Sequence, residues 1–302
     1  MEALLDAALR LALPLLLAAL GELLVERAGV VNIGIEGMML CGAFAAFAAS
    51  VVTGQPAVGV AAGVAAACAM GALFAGFAVL RRADQIVVGT AINLLALGAT
   101  GLGLRAMFPV TVPSAPPVPE WPIPGLAEIP VLGPSLFRQT PFTVAAFALA
   151  ACCAAFLART RAGLRLRAAG EAARAADAEG VPVERVRVMA VLAGACFAGL
   201  AGASLPLAQS NSFTEGMTAG RGFIALAIVI FGRWSAGGVV LAALFFGAAT
   251  ALQFRLQARG LAVPYPLALM LPYVLTLGVL AVAGGRARAP GDLGSPYSRE
   301  SK

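Results

Sequence analysis

GELLVERAGVVNIGIEGMMLCG, residues 21–42, is the stretch that decides how this chain is organised. Apolar runs enter and leave it, yet Asn32 and Glu36 stand between them. Three glycines surround these polar side chains: Gly29, Gly34 and Gly37. Glycine lets a backbone break or approach a neighbour closely, and a charged side chain costs roughly 3 kcal/mol to insert at membrane depth. The stretch therefore indicates an unwound or tightly packed polar site within a membrane segment.

Two interpretations of its polar residues stay open. Asn32 and Glu36 are four residues apart, so they share one face if the segment is helical. With Asn93, in the apolar run QIVVGTAINLLALG, they are candidates for a translocation pathway. Alternatively, Asn32 and Glu36 satisfy backbone groups freed at a helix break, and Asn93 forms an interhelical hydrogen bond. Both interpretations can hold together, and we predict all three as pathway residues.

Composition identifies a polytopic membrane protein. Of the 302 residues, 60% are hydrophobic and only 12% are charged, whereas a soluble domain carries about 25% charged residues. The dominance of Ala, Gly and Leu favours helices, and the alternating segments typical of a membrane barrel are absent from the sequence. We expect an all-α fold with about eight to nine transmembrane helices, some of them broken.

Nine apolar segments can be marked along the chain. They are approximately 3–20, 31–52, 57–80, 86–107, 141–158, 188–208, 221–232, 236–254 and 263–284. Most approach the roughly 20 residues that span a bilayer core. Segment 221–232 would reach only about 18 Å as a helix, so we predict a half-span or a broken helix there.

The placement of arginines predicts the orientation in the membrane. The loop 159–187 holds seven arginines, and Arg81 and Arg82 separate the third and fourth segments. Together with the polar tail 285–302, these regions are all cytoplasmic if 221–232 crosses once. We therefore expect a multi-pass protein of the cell (inner) membrane with a cytoplasmic C-terminus and an external N-terminus.

The same assignment divides the chain into regions. Residues 1–284 form one transmembrane domain, with a proline-rich extracytoplasmic loop at 109–140 and a cytoplasmic loop at 159–187. Proline-rich runs are stiff and extended. The cytoplasmic tail 285–302 is expected to be disordered.

Missing residue types exclude several kinds of site. The chain has no histidine, and its only lysine is Lys302. A P-loop needs a lysine beside its glycine-rich turn, and a histidine triad or histidine-containing zinc site is equally excluded. The cysteines lie in apolar runs and are interpreted as small buried hydrophobes: Cys41, Cys68, Cys152, Cys153 and Cys196. We expect no metal, cofactor or nucleic acid on this chain; if it works in a complex that uses ATP and Mg, another subunit binds them.

The loop 159–187 contains a second candidate site. Residues 165–179 are Ala-rich helix formers, closed by Gly180 and Pro182. A basic helix of this kind can rest on anionic membrane lipid, remain solvated or dock on a cytoplasmic partner. We favour docking, and the predicted coupling residues are Arg167, Gly170, Glu171, Arg174 and Asp177.

Four stretches together resemble a known family. They are AGVVNIGIEGMMLCGAFAAF, GLRLRAAGEAARAADAEGVPVERVR, the following AGLAGA, and GRGFIALAIVIFGRW. In order and spacing, from about residue 10 to residue 284, they are similar to permease subunits of ABC importers for nucleosides, within the ribose and branched-chain amino acid permease superfamily. GEAARAAD resembles the cytoplasmic coupling motif of that group.

The resemblance implies a division of labour. Such permeases pair with a second, homologous permease, and here we expect a heterodimer. They also work with a cytoplasmic ABC ATPase and an extracytoplasmic substrate-binding lipoprotein. Simple sugars and branched-chain amino acids are the alternative substrates. A self-sufficient secondary transporter usually carries coupling carboxylates or histidines inside its spans, where Glu36 is almost the only candidate. A membrane enzyme is disfavoured because the chain has no histidine and no catalytic cluster.

Overall fold

The computed structural model describes residues 2–119, 121–122, 138–258 and 289–298, and every structural statement below concerns these residues. The helices are α1 (Glu2–Arg27), α2 (Ile35–Thr53), α3 (Pro56–Phe74, continued by a π-helical turn at Ala75–Leu80), α4 (Gln85–Met107), α5 (Pro141–Arg159), α6 (Arg161–Glu171), α7 (Ala173–Ala178), α8 (Val183–Ala208), α9 (Arg221–Phe231) and α10 (Ala236–Ala258). Two short strands, β1 (Trp121–Pro122) and β2 (Arg138–Gln139), pair antiparallel.

Local sequence explains where several helices begin and end. Pro56 and Pro141 open α3 and α5, where a missing N–H costs nothing and the fixed φ favours the helix. The Asp84 carboxylate caps α4 by accepting from the amides of Ile86 and Val87 at 2.8 and 3.0 Å. These residues set the helix boundaries at the ends of the bundle.

The prediction of a polytopic all-α membrane fold is confirmed. Within the described residues, seven helices are long and apolar enough to cross a membrane: α1, α2, α3 with its π-helical turn, α4, α5, α8 and α10. The shorter α9 corresponds to the predicted half-span. Segment 263–284 lies outside the described residues.

Helix α1 lies at the centre of the bundle. Leu16, Leu17, Leu20 and Leu23 are almost entirely buried, and α1 packs against α8, α9 and α10. Helices α2, α3 and α8 form a second closely packed group beside it. Helix α4 is more peripheral, since Leu102 is 71% exposed.

Small residues bring the helices of this group into direct backbone contact. A Cβ added to Gly63 would lie 2.7 Å from the carbonyl oxygen of Gly42, and one added to Gly202 would lie 2.1 Å from that of Met39. Lipid tails are as apolar as the side chains, so close van der Waals packing replaces the hydrophobic effect as the force between membrane helices. These glycines thus serve packing within the chain.

Three basic regions lie at one end of the bundle, here called the basic end. The Arg82 guanidinium, beside Arg81, donates to the carboxylate of Glu184 at 3.3 Å, which brings the turn before α4 to the loop 159–187. The amide of Asp292 donates to the carbonyl of Gly170 at 2.9 Å, which brings the tail to the same loop. The arginine distribution correctly predicts that these regions lie together.

The described part of the tail corrects one expectation. Residues 289–298 were expected to be disordered, but they form a turn at Gly291–Gly294 and bond to the loop 159–187 and to the end of α1. The prediction of disorder is wrong for these residues, because their backbone and the carboxylate of Asp292 find partners that composition does not reveal.

Candidate functional site

The first polar stretch folds as a break between two helices. Helix α1 continues to Arg27, seven residues beyond the predicted end of the first segment, and α2 starts only at Ile35. Gly29 has a φ of +88°, a conformation that side chains disfavour. Asn32 therefore lies in the break and Glu36 in the first turn of α2. The two do not share a helix face, because the segment between them is not helical.

Glu36 caps another helix. Its carboxylate accepts hydrogen bonds from the amides of Gly220 at 2.8 Å and Gly222 at 2.6 Å, at the start of α9. Gly220, the N-cap of α9, has a φ of +82° and no side chain with which to cap. A Cβ on Gly222 would lie 2.6 Å from the Cα of Glu36. The negative charge lies where the helix dipole favours it most.

The start of α9 lies at membrane depth. Its 11 residues extend about 17 Å from the basic end, into the middle of a hydrocarbon core of about 30 Å. Glu215 pairs with Arg105, at the opposite end of α4, at 3.1 Å, and the indole of Trp234, just after α9, donates to Glu26 at the basic end. The non-helical segment 209–220 and α9 together therefore extend from the Arg105–Glu215 pair to the basic end, and α9 has the length of the predicted half-span.

Asn93 closes the break from the side of α4. Its Oδ1 accepts from the amide of Gly37 at 2.8 Å, and its Nδ2 donates to the carbonyl of Ile33 at 3.0 Å. Gln85, also on α4, accepts from the amide of Val31 at 2.7 Å. Asn93 thus forms interhelical hydrogen bonds, the alternative that its sequence position left open, while the carboxylate of Glu36 satisfies backbone amides at the start of α9 rather than in the break itself.

Asn32 is wholly enclosed. Its amide donates to Glu22 Oε1 at 3.0 Å, its Nδ2 contacts the Met38 sulfur at 3.5 Å, and its exposed fraction is 0%. Asn32 Oδ1 and Glu22 Oε2 are buried without hydrogen-bond partners. Glu36 and Asn93, by contrast, are only partly buried. Of the three predicted residues, these two have surface that a solute could reach.

One face of α4 follows the non-helical segment before α9. Asn93, Leu97, Gly101 and Arg105 are spaced by four residues, so they lie on one side of the helix. A Cβ added to Gly101 would lie 3.7 Å from the carboxylate of Glu215. A Cβ added to Gly216 would lie 4.0 Å from Cδ1 of Leu97. A strip of α4 therefore leads from the Arg105–Glu215 pair to the polar groups at membrane depth.

Two acidic residues of α1 lie deep in the bundle, although neither was predicted as a site residue. Glu22 and Glu26 are 0% and 3% exposed, and both were read as lying beyond the first span. Arg27 Nε donates to the carbonyl of Trp234 at 2.7 Å. The helical spacing of apolar residues continues without a break up to Val25. This pattern could have predicted that Glu22 and Glu26 lie on the same buried helix.

The coupling residues fall on two helices. Residues 165–179 were expected to form one helix, but Ala172, with φ −153° and ψ 81°, separates α6 from α7. Gly180 follows α7 with a φ of +83°. This is the left-handed conformation that a glycine at a helix end commonly adopts, so the predicted helix stop is confirmed. Glu171 and Arg174 are exposed, while Arg167 and Asp177 are half-buried.

Gly170 does not offer its surface to a partner. It is buried, and a Cβ added to it would lie 2.3 Å from the carbonyl oxygen of Arg27 and 2.8 Å from the amide nitrogen of Gly29. The expectation that Gly170 provides close contact to another protein is therefore corrected. Its missing side chain lets α6 pack on the end of α1.

Two further residues organise the basic end. Arg187, which is 2% exposed, donates to the carbonyls of Ala28, Ser295 and Ala169. Asp292 accepts from the amide of Ala173 at 2.6 Å. Arg187 was predicted only as one of the inside arginines, because nothing in its local sequence separates it from the others.

The arrangement shares two features with the binding regions of transporters. A half-helix starts at membrane depth beside a helix break, and discontinuous helices of this kind mark binding regions in transporters. Among the described residues, no group of three or more His, Cys, Asp or Glu side chains is placed to hold a metal ion. The helices at the basic end present charged side chains to the surface.

Comparison with known proteins identifies related sequences. The profile of the family described as branched-chain amino acid transport system / permease component matches residues 4–280. A guanosine ABC transporter permease protein of Bacillus subtilis is 42% identical over 298 residues, covering 95% of this chain and 93% of its own. A putative glucose ABC transporter permease protein of Haloferax volcanii is 37% identical over 98% of both chains.

A third relative has a similar extent. A nucleoside ABC transporter permease protein of Lactococcus lactis is 36% identical over 92% of this chain and 90% of its own. No solved structure matches the chain.

Proposed function

This chain belongs to the family of branched-chain amino acid transport system permease components, and from that premise we propose that it is the membrane-spanning subunit of an ABC importer for nucleosides. The observation that carries the proposal is the full-length similarity to permeases named for guanosine and for nucleosides. The fold agrees with it, since its spans surround a half-helix that starts at membrane depth.

The proposed assembly supplies what this chain lacks. A cytoplasmic ABC ATPase binds ATP and Mg and faces the basic end, which is the cytoplasmic end and carries the C-terminus. A second, homologous permease completes the membrane unit as a heterodimer, and an extracytoplasmic lipoprotein delivers the solute. No cofactor binds to this chain. The absence of a P-loop lysine from the sequence supports this division.

The proposed pathway runs along the strip of α4 that ends at Asn93 and Glu36. Both side chains already bond to backbone groups, but each oxygen has a second lone pair for a passing hydroxyl or base edge. Because Asn93 and Glu36 keep these backbone hydrogen bonds while the solute passes, their side chains stay in place and bind the solute only weakly. Asn32, being buried, shapes this site without meeting the solute.

Sugar import is the second candidate, because the putative glucose permease of Haloferax volcanii is also similar over the whole chain. Uptake by the complete complex in vesicles, with labelled guanosine and unlabelled guanosine, glucose or leucine as competitors, separates these substrates. Competition by guanosine alone is expected. Competition by glucose or leucine as strong as that by guanosine, or no uptake of labelled guanosine at all, would contradict the nucleoside assignment, and uptake that persists without the ATPase would overturn the importer assignment.

The coupling role is proposed for the exposed charges of α6 and α7. Glu171→Ala is expected to lower transport and solute-stimulated ATP hydrolysis at normal expression, since Glu171 is exposed and can pair with a basic group on the ATPase. Glu179→Gln is the matched control, as an exposed acidic residue on the same loop outside the coupling set. If Glu171→Ala and Glu179→Gln showed the same transport and the same solute-stimulated ATP hydrolysis, the loop 159–187 would be a solvated loop without a coupling role.

A further inference from the structure

The described part of the C-terminal tail, residues 289–298, is tied into the basic end by several hydrogen bonds. The Asp292 amide donates to the carbonyl of Gly170 at 2.9 Å, and the Gly294 amide donates to that of Gly29 at 3.1 Å. The carbonyl of Ser295 accepts from Arg187 Nη1 at 2.7 Å. The tail therefore contacts both the coupling helices and the end of α1.

Asp292 bridges the break between the coupling helices. Its amide binds the last turn of α6, through Gly170, while its carboxylate accepts from Ala173, the first residue of α7, at 2.6 Å. The break itself consists of Ala172 alone. One residue of the tail thus fixes both sides of the joint.

Helix α7 depends on such support. It has six residues, and a helix of that length is unstable in water without tertiary contacts. Its apolar side packs Ala173 and Ala176 against Val183 and Tyr297, the last of which belongs to the tail. The tail therefore contributes both a hydrogen-bonded cap and part of the small core beneath α7.

Arg187 joins the same three parts. Its guanidinium donates to Ala28 at the end of α1, to Ala169 on α6 and to Ser295 in the tail. Because the side chain is 2% exposed, these carbonyls replace its contact with water. Motion of α6 relative to α1 would break at least one of these bonds.

We propose that residues 289–298 form a brace that holds α6 and α7 at a fixed angle, with Asp292 and Arg187 as positioning residues, and that brace and helices together are the docking surface for the ATPase. A groove of about 600 Å³ lies between tail and helices, and its lining includes Glu171, Arg174 and Ser298. Its continuity with the coupling charges commits it to the same partner. The inference rests on the proposed coupling role of α6 and α7.

Substitution of Asp292 in the complete reconstituted complex tests the brace. Asp292→Ala removes the acceptor for Ala173 and is expected to lower solute-stimulated ATP hydrolysis about fivefold, the shift in population that loss of one helix cap produces. Asp292→Asn keeps a side-chain oxygen and is expected to restore most of the stimulation. Glu179→Gln again controls for the loss of one negative charge. Unstimulated hydrolysis reports whether the complex is intact.

The outcomes separate this inference from the proposed function. If Glu171→Ala lowers stimulation while Asp292→Ala and deletion of 289–302 leave it at the wild-type level, the brace is wrong and the coupling role stands. If Glu171→Ala also has no effect, the coupling role itself fails. Equal losses in Asp292→Ala and Asp292→Asn would overturn the capping role of Asp292.

Hydrogen exchange provides a test that needs no variant. The amides of Asp292, Gly294 and Ala173 are hydrogen-bonded within the chain, so in the wild-type complex peptides that cover 289–298 and 173–178 are expected to exchange slowly. Removal of the ATPase is expected to speed exchange in both. Exchange of 289–298 at the rate of an unstructured peptide would overturn the brace.

Discussion

The amide of Gly222 donates a hydrogen bond of 2.6 Å to the carboxylate of Glu36. This bond joins the first turn of α2 to the first turn of a half-helix that lies far away in the sequence. The same carboxylate accepts from Gly220, so one acidic side chain in the first turn of α2 satisfies two backbone amides at the start of α9. Several expectations for variants follow from the way such polar groups are shared.

Glu36→Gln is expected to slow uptake by a modest factor while the protein still accumulates. Glutamine keeps one acceptor oxygen, but its NH₂ group cannot accept from the second amide, and the charge at the helix N-terminus is lost. That charge contributes roughly 0.3–2 kcal/mol. Uptake by vesicles at saturating binding protein measures the effect.

Glu184→Gln is the control for this substitution, since Glu184 is half-exposed and pairs with Arg82 at the basic end. It is expected to leave uptake unchanged. Failure of Glu36→Gln to accumulate would assign Glu36 a structural role only, and unaltered uptake would show that it merely seals the start of α9.

Asn93→Asp is expected to damage the protein at least as much as Asn93→Ala. The asparagine donates to Ile33 and accepts from Gly37, and a carboxylate cannot donate. It would instead face the Ile33 carbonyl oxygen with a negative charge. Each lost interhelical hydrogen bond costs about 0.6 kcal/mol in lipid, and the buried repulsion adds to it.

The measurement is the thermal stability of the purified complex in detergent, together with uptake. Asn93→Gln is a useful third variant because it retains both donor and acceptor on a longer side chain. A melting temperature of Asn93→Asp above that of Asn93→Ala would contradict the bonding scheme.

Composition and local pattern predicted most of the helices in this fold. The apolar runs and the Gly180 stop are local signals, and the structure confirms them. Segment 221–232 was recognised as short from its length alone, and α9 has 11 residues. Such features depend on neighbours within a few residues, so a single sequence contains them.

Pairings between distant segments could not be predicted in this way. Glu36 was found as an unusual polar residue, yet its partner Gly222 is 186 residues away. Arg187 bonds to Ser295 over 108 residues, and the tail that contains Ser295 has the composition of a disordered segment. Gly170 was predicted as a residue that contacts a partner, but it is buried beside Arg27. That burial depends on how α6 packs on α1, which the local sequence does not reveal.

Glu22→Gln is expected to accumulate and transport like the wild type. Glu22 is wholly buried at membrane depth, its Oε2 has no hydrogen-bond partner, and no basic side chain pairs with it among the described residues. A charge is costly in such a place. Glutamine retains the oxygen that accepts from Asn32 and carries no charge.

Glu22→Ala provides the contrast, because it removes that acceptor and leaves a cavity beside Asn32. It is expected to reduce the amount of protein in the membrane, as measured by immunoblot, whereas Glu22→Gln is not. Normal accumulation of Glu22→Gln combined with lost uptake would show instead that the carboxyl proton or charge takes part in transport.

Gly202→Ala is expected to destabilise the bundle. A Cβ at this position would lie 2.1 Å from the carbonyl oxygen of Met39 and 2.9 Å from the amide nitrogen of Ala43. Both are backbone atoms of α2, so no side chain can move aside and α8 must shift as a whole. Overpacking of this kind costs roughly 1–3 kcal/mol or more.

Gly98→Ala is the matched control, since Gly98 also lies within a membrane helix but a Cβ there meets nothing within 4 Å. Alanine favours a helix by up to about 1 kcal/mol over glycine, so this variant is expected to be neutral or slightly more stable. Membrane accumulation and the melting temperature of both purified variants provide the comparison. If Gly202→Ala melted at the same temperature as Gly98→Ala, α2 and α8 could not be in backbone contact at this point.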